Sequence, residues 1–132
     1  MKRPNDEGSI SLTLVVMVSA LLIAVGLVVD GGAKLRAVQQ ATAAAGEAAR
    51  AATQQMNVAA VQTSGAARLD AGAARRAARE TLAAAGVEGT VTVAAGRVSV
   101  TATVSRPTVF LGLLGVSSVT GTGTATSELT LR

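Results

Sequence analysis

The chain has no cysteine, no histidine, no tryptophan and no tyrosine, and among its 132 residues Phe110 is the single aromatic. Each absence removes a class of chemistry. Without Cys or His the commonest zinc and iron ligands are missing, and no Ser-His-Asp or Cys-His set can be assembled. Without Cys, no disulfide framework staples a small core. The acidic residues are scattered, running from Asp6 and Glu7 through Asp30, Glu47, Asp70, Glu80 and Glu88 to Glu128. A Ser-Lys dyad is formally available, but both lysines, Lys2 and Lys34, flank the apolar run described below. Gly121-Thr122-Gly123 is a fragment of a phosphate-loop pattern without a third glycine or a following helix, so it reads as strand punctuation. The expectation is a protein that is not an enzyme and takes no cofactor, no metal and no small-molecule substrate.

Charge is sparse as well. Twelve Lys and Arg against eight Asp and Glu leave a net charge of +4. The excess is spread along the chain, and its only cluster, Arg75, Arg76 and Arg79, sits beside Glu80, which reads as a solvated helix face rather than a nucleic-acid footprint.

What the chain does have is a charge-free apolar run from Gly8 to Val29. At 1.5 Å per residue it makes a helix about 33 Å long, enough to cross a hydrocarbon layer of roughly 30 Å. Its only polar side chains are hydroxyls (Ser9, Ser11, Thr13, Ser19), which can bond to their own helix backbone. The lipid bilayer is therefore the first expected partner. Lys and Arg are nearly balanced across the run, so charge does not set its orientation. The short leader before the run and the long stretch after it favour a single-pass protein of the cell membrane, with its N-terminus cytoplasmic and its C-terminal domain extracytoplasmic. A cleaved secretory signal is the rival reading, with Gly31-Gly32-Ala33 as the small-residue peptidase site.

Beyond the run, Lys34 to Gln62 is rich in Ala, Gln, Glu and Arg and contains no proline, so the helix is expected to continue well outside the bilayer. Its less polar positions fall near a heptad spacing (Leu35, Val38, Thr42, Ala45, Ala49, Ala52, Met56, Ala59), a narrow seam that packs either on its own domain or on neighbouring subunits. Asp30 marks the stop at the interface or an ion-pair partner, and Asp30-Gly31-Gly32 is a candidate hinge at the membrane surface. Ser64-Gly65 interrupts the pattern. A second helix is expected over 66–85, closed by Gly86 as its C-terminal cap.

After Gly89 the period changes to two, predicting strands near 90–94, 97–105 and 118–131, with a turn at Ala95-Gly96. Thr120, Thr122, Thr124, Thr126, Glu128 and Thr130 fall on a polar face of the third strand, opposite small residues. The fold class is thus α+β: a transmembrane helix extended by an Ala-rich extracytoplasmic helix, a second helix, then a small three-stranded antiparallel sheet. The segments are a short cytoplasmic leader (1–8), a transmembrane helix (9–29), the Ala-rich helix (30–64) and a small α+β domain (65–132). Between the second and third strands, Val109-Phe110-Leu111-Gly112-Leu113-Leu114-Gly115-Val116 is the strongly apolar stretch outside the span, too short to cross a bilayer. It is either a loop plugging the core under the sheet, or a docking patch formed by Phe110, Leu111, Leu113 and Leu114, or a segment dipping into the membrane face.

The leader Asp6-Glu7-Gly8-Ser9, the apolar helix, the stretch from Val28 to Ala52 and the late FLGLLGV before a Thr/Ala-rich strand together resemble the TadE/TadG-like proteins of tight-adherence (Flp-type) pilus systems. The resemblance implies a membrane-anchored, pilin-like structural or assembly protein whose partners are other pilin-like or pilus-assembly subunits, including further copies of itself. It also implies a processing site between Gly8 and Ser9. The fifth residue after such a cut would be Thr13, where processed pilins usually carry Glu, and this fits a TadG-like protein that stays in the membrane. The alternative class is a membrane-tethered or secreted binding module unrelated to pili.

Overall fold

The computed structural model describes residues 6–62 and 71–128, with the side chains of residues 8–56 and 71–128. Its elements are α1 (Asp6–Gln62), α2 (Ala71–Ala84), β1 (Glu88–Ala94), β2 (Arg97–Pro107), a 3-10 turn (Leu111–Leu114) and β3 (Ser118–Glu128). The fold is α+β, as the change of period from helical to two requires.

Helix α1 runs 57 residues without interruption, about 86 Å at 1.5 Å per residue. Its first half is bare: Leu12, Leu14, Val15, Val16, Leu21, Leu22, Ile23, Leu27 and Val28 all face outward. Among the described residues this is one helix long and apolar enough to cross a membrane, and it lies near the N-terminus. Hydroxyls inside the run turn back on the helix, Thr13 donating to the Ser9 carbonyl at 2.9 Å and Ser19 to that of Val15 at 2.8 Å. No intermolecular partner is needed to satisfy those two groups.

The second half of α1 is the spine of the domain. Ala37, Ala41, Ala44, Ala45, Ala48, Ala49, Ala52 and Met56 are buried against α2 and the sheet. This face is wider than the expected seam and rotated from it: Ala45, Ala49, Ala52 and Met56 belong to it, but Leu35 and Thr42 are exposed. The reason is that two partners, a helix and a sheet, flank α1, so a broad stripe is covered instead of one coiled-coil line. The side chain of Ala59, the Ser64-Gly65 break and residues 66–70 of the expected second helix lie outside the described residues.

Helix α2 buries Ala74, Ala78 and Leu82. It ends as expected at Gly86, whose φ is 65°. The Gly86 N–H donates to the Ala83 carbonyl at 3.0 Å and the Val87 N–H to that of Leu82 at 3.0 Å. This is the Schellman pattern, with buried Val87 and Leu82 supplying its hydrophobic contact.

The three strands form an antiparallel meander in the order β1-β2-β3. The Ala94↔Arg97 pair closes β1 and β2 around Ala95-Gly96. Both turn residues have positive φ, 49° and 76°, as a type I′ hairpin demands. Strands β1 and β2 extend slightly past the expected bounds, Pro107 pairing with Ser118 at the end of β2 where β1 has already stopped, and β3 starts at Ser118 as expected. Residues 129–131 of the expected third strand lie outside the described residues. One sheet face is a field of Thr and Ser; the other carries Val98, Val100 and Ala102 into the core. Across that inner face Gly89, Ala102 and Gly123 stand in one row. A Cβ on Gly121 would strike the Val38 amide and the Ala37 backbone, and one on Gly123 the Thr42 amide. Strand β3 therefore lies directly on the backbone of α1, which is how a core of alanines and glycines reaches close packing.

Candidate functional site where the long helix leaves its apolar half

Asp30 directly follows the apolar run, and at 1% exposure it is the buried charged residue among those described. A carboxylate removed from water needs replacement donors, and here they come from far along the chain. The Val109 N–H donates to Oδ1 at 2.8 Å, and the Phe110 and Leu111 N–H groups donate to Oδ2 at 3.1 and 2.6 Å. These amides are the orphan donors at the start of the 3-10 turn, so Asp30 caps that turn from 80 positions away. The Val109 amide first, then Leu111 and Phe110, hold the carboxyl below the ordinary carboxylate range against the opposing effect of burial.

The rest of the segment satisfies itself. The Leu113 N–H donates to the Phe110 carbonyl, Gly115 to Gly112, Val116 to Leu111 and Thr108 to Ser117, all within 3.0 to 3.2 Å. The Thr108 hydroxyl donates to the Val116 carbonyl. Gly115, with φ 90°, turns the chain back toward β3. Just above, Arg106 donates to Gln40 Oε1 at 2.7 Å, joining the end of β2 to α1.

Phe110 rests on Gly26, one turn back into the apolar run. A Cβ built on Gly26 would sit 2.8 Å from both Cβ and Cγ of Phe110. The lone aromatic thus occupies a seat that any side chain would fill. Leu22, Ile23, Gly26 and Leu27 of α1 and Phe110, Leu111, Leu113 and Leu114 of the turn line an apolar groove of about 450 Å³. Leu113 and Leu114 point away from the protein, 84% and 81% exposed. The segment does not plug the core under the sheet; it stands beside the apolar half of α1 because Asp30 draws its amides there.

Of the expected site residues, the structure brings together Asp30, Phe110, Leu111, Leu113 and Leu114. Gly31 and Gly32 lie within unbroken α-helix, with open space around Gly31. Gly8 and Ser9 lie exposed near the start of α1, far along the helix from Asp30. Two features escape a reading of the sequence: the pairing of Asp30 with backbone amides, and the seat at Gly26. An acidic residue at the edge of a long apolar run is a signal that a partner exists. Backbone amides carry no residue-type signature, so the partner itself stays hidden.

In comparison with known families, residues 8–62 fit the family described as putative Flp pilus-assembly TadE/G-like. The matched stretch is α1 from Gly8 to its end and includes Gly26 and Asp30; the sheet lies outside it. No curated protein and no solved structure matches the chain.

Proposed function

From a chain that is TadE/TadG-like along its long helix, we propose a membrane-anchored, pilin-like structural or assembly protein of a Tad/Flp-type pilus or related secretion apparatus, working without catalysis. The observation that carries this reading is the division of α1. One half is bare and apolar over a bilayer's thickness, and the other is the buried spine of a small domain. Such a helix is at home in lipid or in a bundle of like helices, where small residues such as Ala20 and Ala24 permit close approach. Its N-terminus faces the cytoplasm and the α+β domain lies outside. The functional contacts are mechanical, and the partners are the bilayer and other pilus subunits, including copies of this chain.

Mass analysis of the N-terminus of protein taken from membranes tests the reading. An intact start supports a permanent anchor, and a new start at Ser9 supports prepilin-type processing. A start near Lys34, with the protein free in solution, overturns the anchored reading and favours a secreted binding module. Recovery in sheared surface filaments marks a filament component; loss of filaments on deletion, without recovery in them, marks an assembly factor.

A further inference from the structure

We propose that the Val109–Val116 segment is a second membrane attachment, a short wedge whose apolar side chains enter the acyl region of the leaflet on the domain side, latched to the anchor helix by Asp30. The proposal rests on the reading of the apolar run as a bilayer span.

Depth is the first argument. Gly26 lies four positions before Asp30, about 6 Å along the helix axis, and Leu22 about 12 Å. Phe110 sits on Gly26, and the groove extends to Leu22. With the run in lipid, the turn reaches the same depth, comparable to the 5–10 Å or so at which interfacial elements bury their apolar faces. Composition is the second. From Thr108 to Ser118 there is no charged side chain, whereas Lys34 and Arg36 are exposed about one to two turns past Asp30, at headgroup level. The outward Leu113 and Leu114 are continuous with Leu22, Ile23 and Leu27, the lipid-facing surface of α1.

The third argument separates a water-free setting from open solvent. Irregular backbone survives at membrane depth only when its N–H groups are satisfied internally. Here Asp30 takes three of them and the turn's own carbonyls take those of Leu113, Gly115 and Val116. A patch left in water has no need of a carboxylate carried to it from the long helix, because water would serve those amides; depth and the lack of charge then favour lipid as the cover.

The absence of cysteine allows single reporters without background. The full-length chain would be reconstituted in vesicles of equal parts phosphatidylcholine and phosphatidylglycerol, with an environment-sensitive fluorophore on L113C, L114C, T124C on the outer sheet face, or V18C within the span. At Leu113 and Leu114 the expected result is blue-shifted emission, quenching by lipid-borne nitroxides and iodide quenching several-fold weaker than at Thr124. Equal iodide quenching at Leu113 and Thr124, with Val18 still quenched by lipid nitroxides, overturns the wedge and leaves the anchor standing. Loss of lipid quenching at Val18 overturns both. Protection at Leu113 that disappears on dilution to one chain per vesicle assigns the surface to a second copy and overturns lipid as its occupant.

Discussion

Asp30 concentrates the design at the scale of a single residue, because one carboxylate closes three amide donors that otherwise face an apolar surface. Its folded-state pKa lies below the ordinary value, so the stabilisation is complete above that ordinary value and is lost as pH falls through the depressed one. Hydrogen exchange of the Val109–Leu111 amides, corrected for intrinsic rates, is therefore expected to stay constant between about pH 5 and 8 and to rise only below about pH 4. Asp30→Asn keeps the shape but loses the charge and one acceptor, so the same amides should exchange faster at neutral pH; unchanged protection would show that the latch does not depend on the carboxylate. A second residue carries strain. Ala95 holds φ 49° in the hairpin turn, a conformation that disfavours any side chain with a Cβ. Ala95→Gly should stabilise the domain by about 0.5–1 kcal/mol in thermal unfolding followed in detergent.

Among the elements, β3 and α1 depend on each other most closely, since Gly121 and Gly123 leave no room for a Cβ between strand and helix. Gly123→Ala is expected to destabilise by about 3 kcal/mol or more, because the obstacle is backbone and cannot turn aside. Thr122→Val, on the solvated face one residue away, should change stability by no more than about 0.5 kcal/mol. Much of this scale is legible in sequence. The strand alternation, the Ala95-Gly96 turn and the Gly86 cap follow from residue chemistry that acts over a few positions. The face of α1 that becomes buried is less legible, because alanine occurs all round the helix and only the positions of α2 and the sheet select Ala37, Ala41, Ala44 and Ala48 over Leu35 and Thr42. Gly121-Thr122-Gly123 looks like punctuation along the chain, and its role in close approach is visible only once a second backbone lies across it.

For the whole molecule, the apolar turn couples the domain to the apolar half of α1. Gly26→Leu puts a side chain where Phe110 rests, so it should release the turn, raising exchange at Val109–Leu111, while membrane fractionation of the protein stays unchanged. Retention of full protection in that variant would show that the seat at Gly26 is dispensable. The long apolar run and the α+β class can be read from composition and periodicity alone. The candidate site could be read only in fragments: Asp30 and the FLGLLGV stretch each stand out, but 80 positions separate them, and nothing in either fragment encodes the other.

The 57 residues of α1 have one mechanical consequence. No supple tether separates what is gripped from what projects, because the gripped rod is itself the spine onto which the strands are fastened. Tension applied at the apolar end would travel along the helix axis and reach the strands as shear, shared along the seam from Ala37 to Met56 instead of peeling one contact at a time. Such a subunit would transmit pull and twist with little slack, as a strut does and a leash does not.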